Sequence, residues 1–164
     1  MADMLHLEFT VAGQYQLSRA LGLYADRAHD LRPAWEDIRD DFLRNEMEQF
    51  ESEGRHASGG WAELSPIYAA WKNAHLPGMP ILQLSGRLMD SLTDKRHADF
   101  VFEAKRKSLR MGTKVPYARF HQEGTRTMPD RPPIALTDKQ RRLWVKIIQT
   151  HIFQSGQPYR RAVF

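Results

Sequence analysis

The amino-acid sequence predicts one domain, residues 1–164, of the α+β class: helices packed on a small antiparallel β-sheet, with a long helix in the N-terminal half, a β-hairpin and a C-terminal helix. Three observations predict this class. Apolar residues recur at helical spacing over most of the chain, two short alternating segments flank a basic turn, and 164 residues suffice for one hydrophobic core. The order strand, helices, hairpin, helix favours segregated helices and strands.

The N-terminal half predicts a strand followed by two helices. Apolar and polar residues alternate over residues 5–11 and the pattern stops at Gly13, which is typical of a half-buried strand. The first helix carries an apolar face at Leu17, Leu21, Tyr24 and Ala28. Pro33 suits the first turn of the second and longest helix, which we expect to end near Gly54. Its apolar stripe consists of Trp35, Ile38, Phe42, Leu43, Met47 and Phe50.

The middle of the chain predicts a loop and two short helices. Residues 53–60 contain glycine, serine and charged residues without periodicity, so we expect an exposed loop there. Helical spacing of apolar residues then links Trp61 to Trp71. Ser85 is predicted to cap the next helix, with Arg87 on the outer face of that helix.

The C-terminal half predicts a hairpin and a final helix. Apolar and polar residues alternate in residues 100–104 and again in residues 109–113, and the basic turn of residues 105–108 joins the two strands. Thr137 followed by Asp138 is predicted to cap the last helix. The apolar face of that helix consists of Leu143, Ile147, Ile148 and Ile152.

Composition excludes several kinds of chemistry and divides the chain by charge. A chain without cysteine forms neither disulfides nor thiolate metal sites. Since no apolar run reaches the roughly 20 residues of a membrane span, we expect a cytoplasmic origin and no membrane partner. Residues 1–104 contain 10 Lys and Arg against 17 Asp and Glu, whereas residues 105–164 contain 14 against 3. This division favours association between copies, with nucleic-acid binding as the alternative.

The histidines give little support for catalysis. No two of the seven are four residues apart, as paired ligands on a helix would be, so we expect no metal site and no cofactor. His121 with the nearby Glu123 resembles an acid and base pair, and a small hydrolase is one interpretation. We prefer a hydrogen-bonded histidine at a helix end, because no nucleophile or oxyanion motif accompanies it. The sequence thus favours a structural subunit over an enzyme.

A compact basic cluster carries the alternative function. Lys105, Arg106 and Lys107 form the predicted hairpin turn, with Arg110 and Lys114 close by. Such charges can contact phosphates without reading bases. Because no exposed aromatic residues are interleaved with them, base stacking has little support, and contact with DNA would be nonspecific.

Three short motifs follow one another in the second half of the chain. Residues 82–92 read Leu-x-x-Ser-Gly-x-Leu-x-x-Ser at a helix start. Residues 115–124 contain Tyr-Ala-x-x-His-x-x-Gly, and residues 128–133 contain Met-Pro-x-Arg-Pro. These motifs, in this order and with a predicted hairpin between the first two, resemble those of the phage tail-completion and virion-morphogenesis family.

The resemblance implies a structural virion protein at the head-to-tail junction of a long-tailed phage, made in the host cytoplasm. It implies a homo-oligomeric ring of six or twelve copies that joins or finishes the tail. The implied partners are other copies of the chain, a connector or head-completion protein, and a tail terminator or tail-tube protein. The alternative is a nonspecific DNA-binding accessory protein that contacts the phage genome in the connector channel.

The residues of these motifs suggest which side chains contact partners. Three prolines stiffen residues 129–133, which we interpret as an extended arm that docks on a neighbour. Arg131 within this arm offers a rigid fork to a partner carboxylate. The candidate interface residues are Ser85, Arg87, Lys105, Arg106, Lys107, Tyr117, His121 and Arg131.

Overall fold

The computed structural model describes residues 14–153, so the strand predicted at residues 5–11 lies outside the described residues. Within them the chain forms helices and one antiparallel pair of strands, which confirms the predicted α+β class. In chain order the elements are α1 (Gln14–His29), α2 (Arg32–Glu51), α3 (Pro66–His75), α4 (Arg87–Thr93), β1 (Phe100–Ala104), β2 (Leu109–Thr113), α5 (Ala118–Glu123) and α6 (Asp138–Phe153).

The long helix α2 is confirmed, and the other elements pack around it. Pro33 lies in its first turn, where the missing N–H of proline costs no helical hydrogen bond. α6 runs in the opposite direction beside α2: Trp144 Nε1 donates to Asp41 Oδ2 over 2.9 Å, and further along Ile147 packs in the cluster of Ala34. α4 packs on α2 as well.

Two clusters of buried apolar side chains form the core, and α2 contributes to both. The cluster near the start of α2 consists of Ala34, Trp35, Ile38 and Ile147. The cluster near its end consists of Phe42, Phe50, Trp61, Leu88, Leu92 and Val115. Burial of each large side chain contributes about 1.5–3 kcal/mol to folding.

The β-hairpin is confirmed with the boundaries that the alternation predicts. Phe100 pairs with Thr113 at one end of the ladder and Ala104 with Leu109 at the other. The backbone of the turn is attached to the start of α2. Trp35 Nε1 donates to the carbonyl of Lys105, and the backbone N–H of residue 31 donates to the carbonyl of the next turn residue, both over 2.8 Å.

The helix α1 is confirmed, and it projects from the body. Its last turns contact the end of α6: the Tyr24 ring meets the edge of Phe153, and the carbonyl of Asp30 accepts a hydrogen bond from His151. Since Tyr24 lies beside the last residue of α6, the earlier turns of α1 extend past the end of that helix. Tyr15 is accordingly 91% exposed, and Leu17 is also exposed.

Two details of the short helices differ from the sequence prediction. The helix predicted from Trp61 begins only at Pro66, with Ser65 as its cap, so Trp61 lies in the extended segment before α3. Ser85 does not cap α4. The cap position is taken by Gly86, whose φ of 77° is left-handed, because only glycine adopts that conformation without strain.

The loop at residues 53–60 is confirmed as a loop, and it is exposed only in part: Arg55, Gly59 and Gly60 are exposed, whereas Gly54 is buried. Gln49 holds it from α2: its Nε2 donates to Ser58 Oγ over 2.8 Å, and its Oε1 accepts from the N–H of Ala57 over 3.0 Å. Gly54 is buried against the Trp61 ring, so that a Cβ there would lie 2.4 Å from Trp61 Cδ1. A buried amide and a glycine contact therefore hold one side of this loop against the body of the protein.

The predicted cap of α6 is confirmed. Thr137 Oγ1 accepts from the N–H of Gln140 over 3.2 Å, and Gln140 Oε1 accepts from the N–H of Thr137 over 2.8 Å. This reciprocal pair satisfies two backbone donors at the helix start. Across the described residues, no helix combines the length and the apolar character that crossing a membrane requires.

Candidate functional site

One pocket brings together the three motif segments, residues 82–92, 115–124 and 128–133. It has a volume of about 560 Å³ and lies between α3, residues 82–86, α5 and residues 127–131. Each motif contributes predicted candidates to its wall: Ser85 from the first, Tyr117 and His121 from the second, and Arg131 from the third. Apolar wall residues include Leu64, Leu82, Leu84, Leu88, Met128 and Pro129.

Arg131 is a buried residue of the pocket wall that connects the proline-rich segment to the chain before α3. The residue is only 5% exposed; its Nε donates to the carbonyl of Ala62 and its Nη2 to the carbonyl of Glu63, both over 2.6 Å. Its own N–H donates to the carbonyl of His121. The predicted fork for a partner carboxylate is therefore occupied by backbone carbonyls of the same chain. Burial lowers the pKa of the guanidinium.

The prediction that residues 129–133 form an extended docking arm is wrong, because this segment is a packed loop. The carbonyl of Pro132 accepts from Gln49 Nε2 over 3.2 Å and from Trp61 Nε1 over 3.0 Å, and Pro133 is fully buried. Gly124 begins the loop with a φ of 71°, in the left-handed region that favours glycine. The prolines thus fix the loop against the core of its own chain.

His121 lies in the last turn of α5, as predicted for a histidine at a helix end. Its Nδ1 is buried and has no hydrogen-bond partner among residues 14–153, so that nitrogen lacks the predicted bond. Burial, and then the charge of Arg131, lower the pKa of the ring. Glu123 is exposed, and within the described part no hydrogen bond joins it to His121. The geometry does not assemble the acid and base pair of the hydrolase interpretation.

Lys72 is a pocket residue that the sequence analysis missed. It is buried, its Nζ donates to the carbonyl of Pro80 over 2.5 Å, and burial lowers its pKa. The sequence contained a signal for this placement, because Lys72 follows Tyr68 by four residues and therefore lies on the same face of α3. The described wall of the pocket thus contains Lys72, Arg131 and His121 but no Asp or Glu.

The remaining candidates lie outside the pocket. Arg87 is exposed and forms an ion pair with Asp99, Nη2 to Oδ2 at 2.8 Å, and this contact lowers the pKa of that carboxyl. Lys105, Arg106 and Lys107 are exposed at the tip of the hairpin, beside the start of α2. The structure therefore separates two surfaces: the pocket, and a basic tip near the opposite end of α2.

A buried carboxyl is the second residue that sequence reasoning missed. Glu46 is 0% exposed, and neither side-chain oxygen has a hydrogen-bond partner in the part of the chain that the structure describes. Burial raises its pKa to about 9, which keeps the carboxyl protonated at neutral pH. The signal was its spacing: Ile38, Phe42, Glu46 and Phe50 are each four residues apart and share one face of α2.

No metal or catalytic cluster accompanies these groups in the described region, where no three His, Asp or Glu side chains are close enough to share a metal ion. In comparison with known proteins, the model of the phage virion morphogenesis family matches residues 13–152. No curated protein and no solved structure matches the chain significantly. The family match spans all three motifs and every described element except the last residue of α6.

Proposed function

This chain belongs to the phage virion morphogenesis family. We propose that it is a structural virion protein of the head-to-tail junction. Membership itself indicates a phage structural role rather than a catalytic one. The proposal adds the place, the neck of a long-tailed phage, and the task of finishing or joining the tail.

The convergence of the three motifs on one pocket is the observation that carries the proposal. Arg131 and Pro132 hold the pocket wall through backbone and side-chain hydrogen bonds to Ala62, Glu63 and Trp61. The motif residues therefore maintain a shaped, partly apolar surface, which is what a protein that works through contacts requires. They do not assemble a nucleophile and base in hydrogen-bonding distance.

The charge distribution supports head-to-tail contacts between copies, and the proposed assembly is a closed ring of six or twelve copies. Residues 1–104 have an excess of carboxylates and residues 105–164 an excess of basic groups. A head-to-tail contact joins two different surfaces of the same chain, and repeating it closes a ring when the rotation allows. A connector or head-completion protein on one side, and a tail terminator or tail tube on the other, are the proposed partners.

A phage with the gene for this chain disrupted tests the proposal. We expect heads and tails that remain separate or unfinished, counted by electron microscopy, and infectivity restored by the wild-type gene supplied in trans. An Arg126→Ala gene serves as a control, since Arg126 is an exposed loop residue. Complete tailed particles of normal infectivity without the protein would contradict the proposal.

Nonspecific DNA binding stays a second candidate because of the hairpin tip. Lys105, Arg106 and Lys107 expose three positive side chains side by side, a geometry that suits contact with phosphates. A gel shift at low salt should then be lost on changing all three to Gln. A variant with Lys139, Arg142 and Lys146 of α6 changed to Gln has the same net charge and should retain the shift. Equal binding by both variants would remove this candidate.

A further inference from the structure

We propose that the pocket between α3 and α5 binds residues 1–13 of a second copy of this chain. The inference rests on the proposed function in one respect, because it names a contact that would join copies in the ring. Three observations carry it: the chemistry of the pocket, the composition of residues 1–13, and the opposite positions of the pocket and α1.

The chemistry of the pocket suits an apolar segment with negative charge. Its wall is mainly apolar, and its charged or ionisable groups are Lys72, His121 and Arg131, with no carboxylate among the described wall residues. Burial lowers the pKa of all three. A carboxylate brought in by a partner would offset that desolvation through its charge and favour the charged forms, while Lys72 and Arg131 keep their hydrogen bonds to backbone carbonyls of their own chain.

Residues 1–13 have the matching composition. They contain Asp3 and Glu8 and no lysine or arginine. Apolar residues alternate at Leu5, Leu7, Phe9 and Val11. In an extended segment these apolar side chains point to one side, so several could enter a groove of this size together.

The geometry favours a second copy over the same chain. The pocket lies beside the end of α2, because its Arg131 binds Ala62 and the adjacent Pro132 binds Gln49. α1 lies at the start of α2 and points away from the body. To return, residues 1–13 would follow about 15 Å of α1 and about 30 Å of α2. Thirteen fully extended residues span about 45 Å, which leaves none to enter the pocket.

The absence of cysteine from the chain allows a direct test by disulfide formation. Leu7→Cys places a thiol in the donor segment, and Leu84→Cys places one at the exposed rim of the pocket. Oxidising a mixture of the two single variants should give a dimer of twice 19.1 kDa on a non-reducing gel. The matched control pairs Leu7→Cys with Val145→Cys, an exposed position on α6.

A dimer yield several-fold higher for the Leu84 mixture than for the Val145 mixture supports the proposal, provided that each variant unfolds in urea at the wild-type midpoint. Equal yields overturn it. The double variant Leu7→Cys/Leu84→Cys, oxidised in an excess of wild-type chain, should remain unlinked. A bond within one chain there would mean that each copy fills its own pocket, which also overturns the proposal.

Charge provides a second readout of the same contact. Changing Asp3 and Glu8 to Lys in the Leu7→Cys chain should reduce the dimer yield severalfold, and an unchanged yield would contradict the role of the basic groups. The assay is separate from the particle count. If the copies link but the phage makes complete tails without the protein, the proposed function alone is contradicted. If the phage requires the protein but the copies do not link, this inference alone is contradicted.

Discussion

The middle of α2 and the loop before α6 each bury an ionisable side chain, and the two side chains have opposite surroundings. Arg131 in the loop donates to two backbone carbonyls over 2.6 Å. Glu46 in α2 has no hydrogen-bond partner for either oxygen within residues 14–153. Burial of an ionisable group therefore has two outcomes in this fold. Arg131 is surrounded by hydrogen-bond acceptors, so it can stay charged and fix the loop. Glu46 has no such partner in the described residues, so its carboxyl becomes neutral and makes stability depend on pH.

The largest expected effect on stability comes from Glu46→Gln, which replaces the buried carboxyl with an amide that does not ionise. Since burial raises the folded-state pKa of Glu46 to about 9 from 4.5, the contribution of this group to stability is fully present below pH 4.5 and falls by about 1.4 kcal/mol per pH unit as the pH rises towards 9. We expect the variant to match the wild type near pH 4.5. At pH 8 the variant should be more stable than the wild type by about 5 kcal/mol, as measured by urea unfolding.

Glu51→Gln is the matched control for this experiment, because Glu51 is an exposed carboxyl at the end of the same helix. Its stability difference from the wild type should stay within about 0.5 kcal/mol at both pH values. A Glu46→Gln difference that does not grow between pH 5 and pH 8 would mean that Glu46 has a charged partner or water in solution.

The next effect is the loss of the loop contact in Arg131→Met, which keeps an unbranched apolar stem but removes the guanidinium donors. The carbonyls of Ala62 and Glu63 would lose their charged donors, so we expect a loss of about 3 kcal/mol in the free energy of unfolding. Arg126→Met, in the exposed part of the same loop, should change it by less than about 0.5 kcal/mol. Similar losses for both variants would contradict the distinction between the two arginines.

A smaller effect tests the entry into the loop. Gly124 has a φ of 71°, and a Cβ there would lie 2.9 Å from the backbone nitrogen of Asp130. Gly124→Ala should therefore cost about 2 kcal/mol, from strain together with a clash. Gly78→Ala has a similar φ of 78° with nothing within 4 Å, so it should cost about 1 kcal/mol. Thermal unfolding of both variants separates the effect of the clash from the effect of the strained φ. Equal decreases in the unfolding temperature would mean that the clash does not contribute.

The smallest effect concerns the exit from the loop into α6. Thr137→Ala removes the oxygen that accepts from the N–H of Gln140, and loss of such a cap costs about 1 kcal/mol. Thr127→Ala, at an exposed position in the loop, should be close to neutral. Urea unfolding of the two variants compares them directly, and a Thr137→Ala value within error of Thr127→Ala would mean that the cap does not contribute.

Local spacing predicted much of the fold. The boundaries of the hairpin, the proline at the start of α2 and the cap at Thr137 all depend on residues close in sequence, and the structure confirms each. The cap of α4 was wrong because Ser85 is a good cap by type, whereas the chain turns one residue later at Gly86. That choice depends on backbone conformation, which residue preference alone does not determine.

The site was less predictable because it depends on long-range contacts. The motifs identified Ser85, Tyr117, His121 and Arg131, and the structure brings these residues to one pocket. Sequence alone could not show that Arg131 faces inward, because the carbonyls that it binds are nearly 70 positions earlier. Glu46 was missed for a different reason: a carboxyl is normally assigned to solvent, and here the apolar spacing of α2 overrides that preference.

The hairpin tip has a further property that follows from how it is attached. The backbone carbonyl of Lys105 accepts a hydrogen bond from Trp35 of α2 and that of Arg106 accepts one from Leu31 just before α2, while the side chains of residues 105–107 are exposed. Folding is therefore uncoupled from the chemical identity of these side chains. The tip is a position where a fluorophore, an affinity tag or a changed charge could be introduced without altering the body, so the protein could be followed inside an assembling particle.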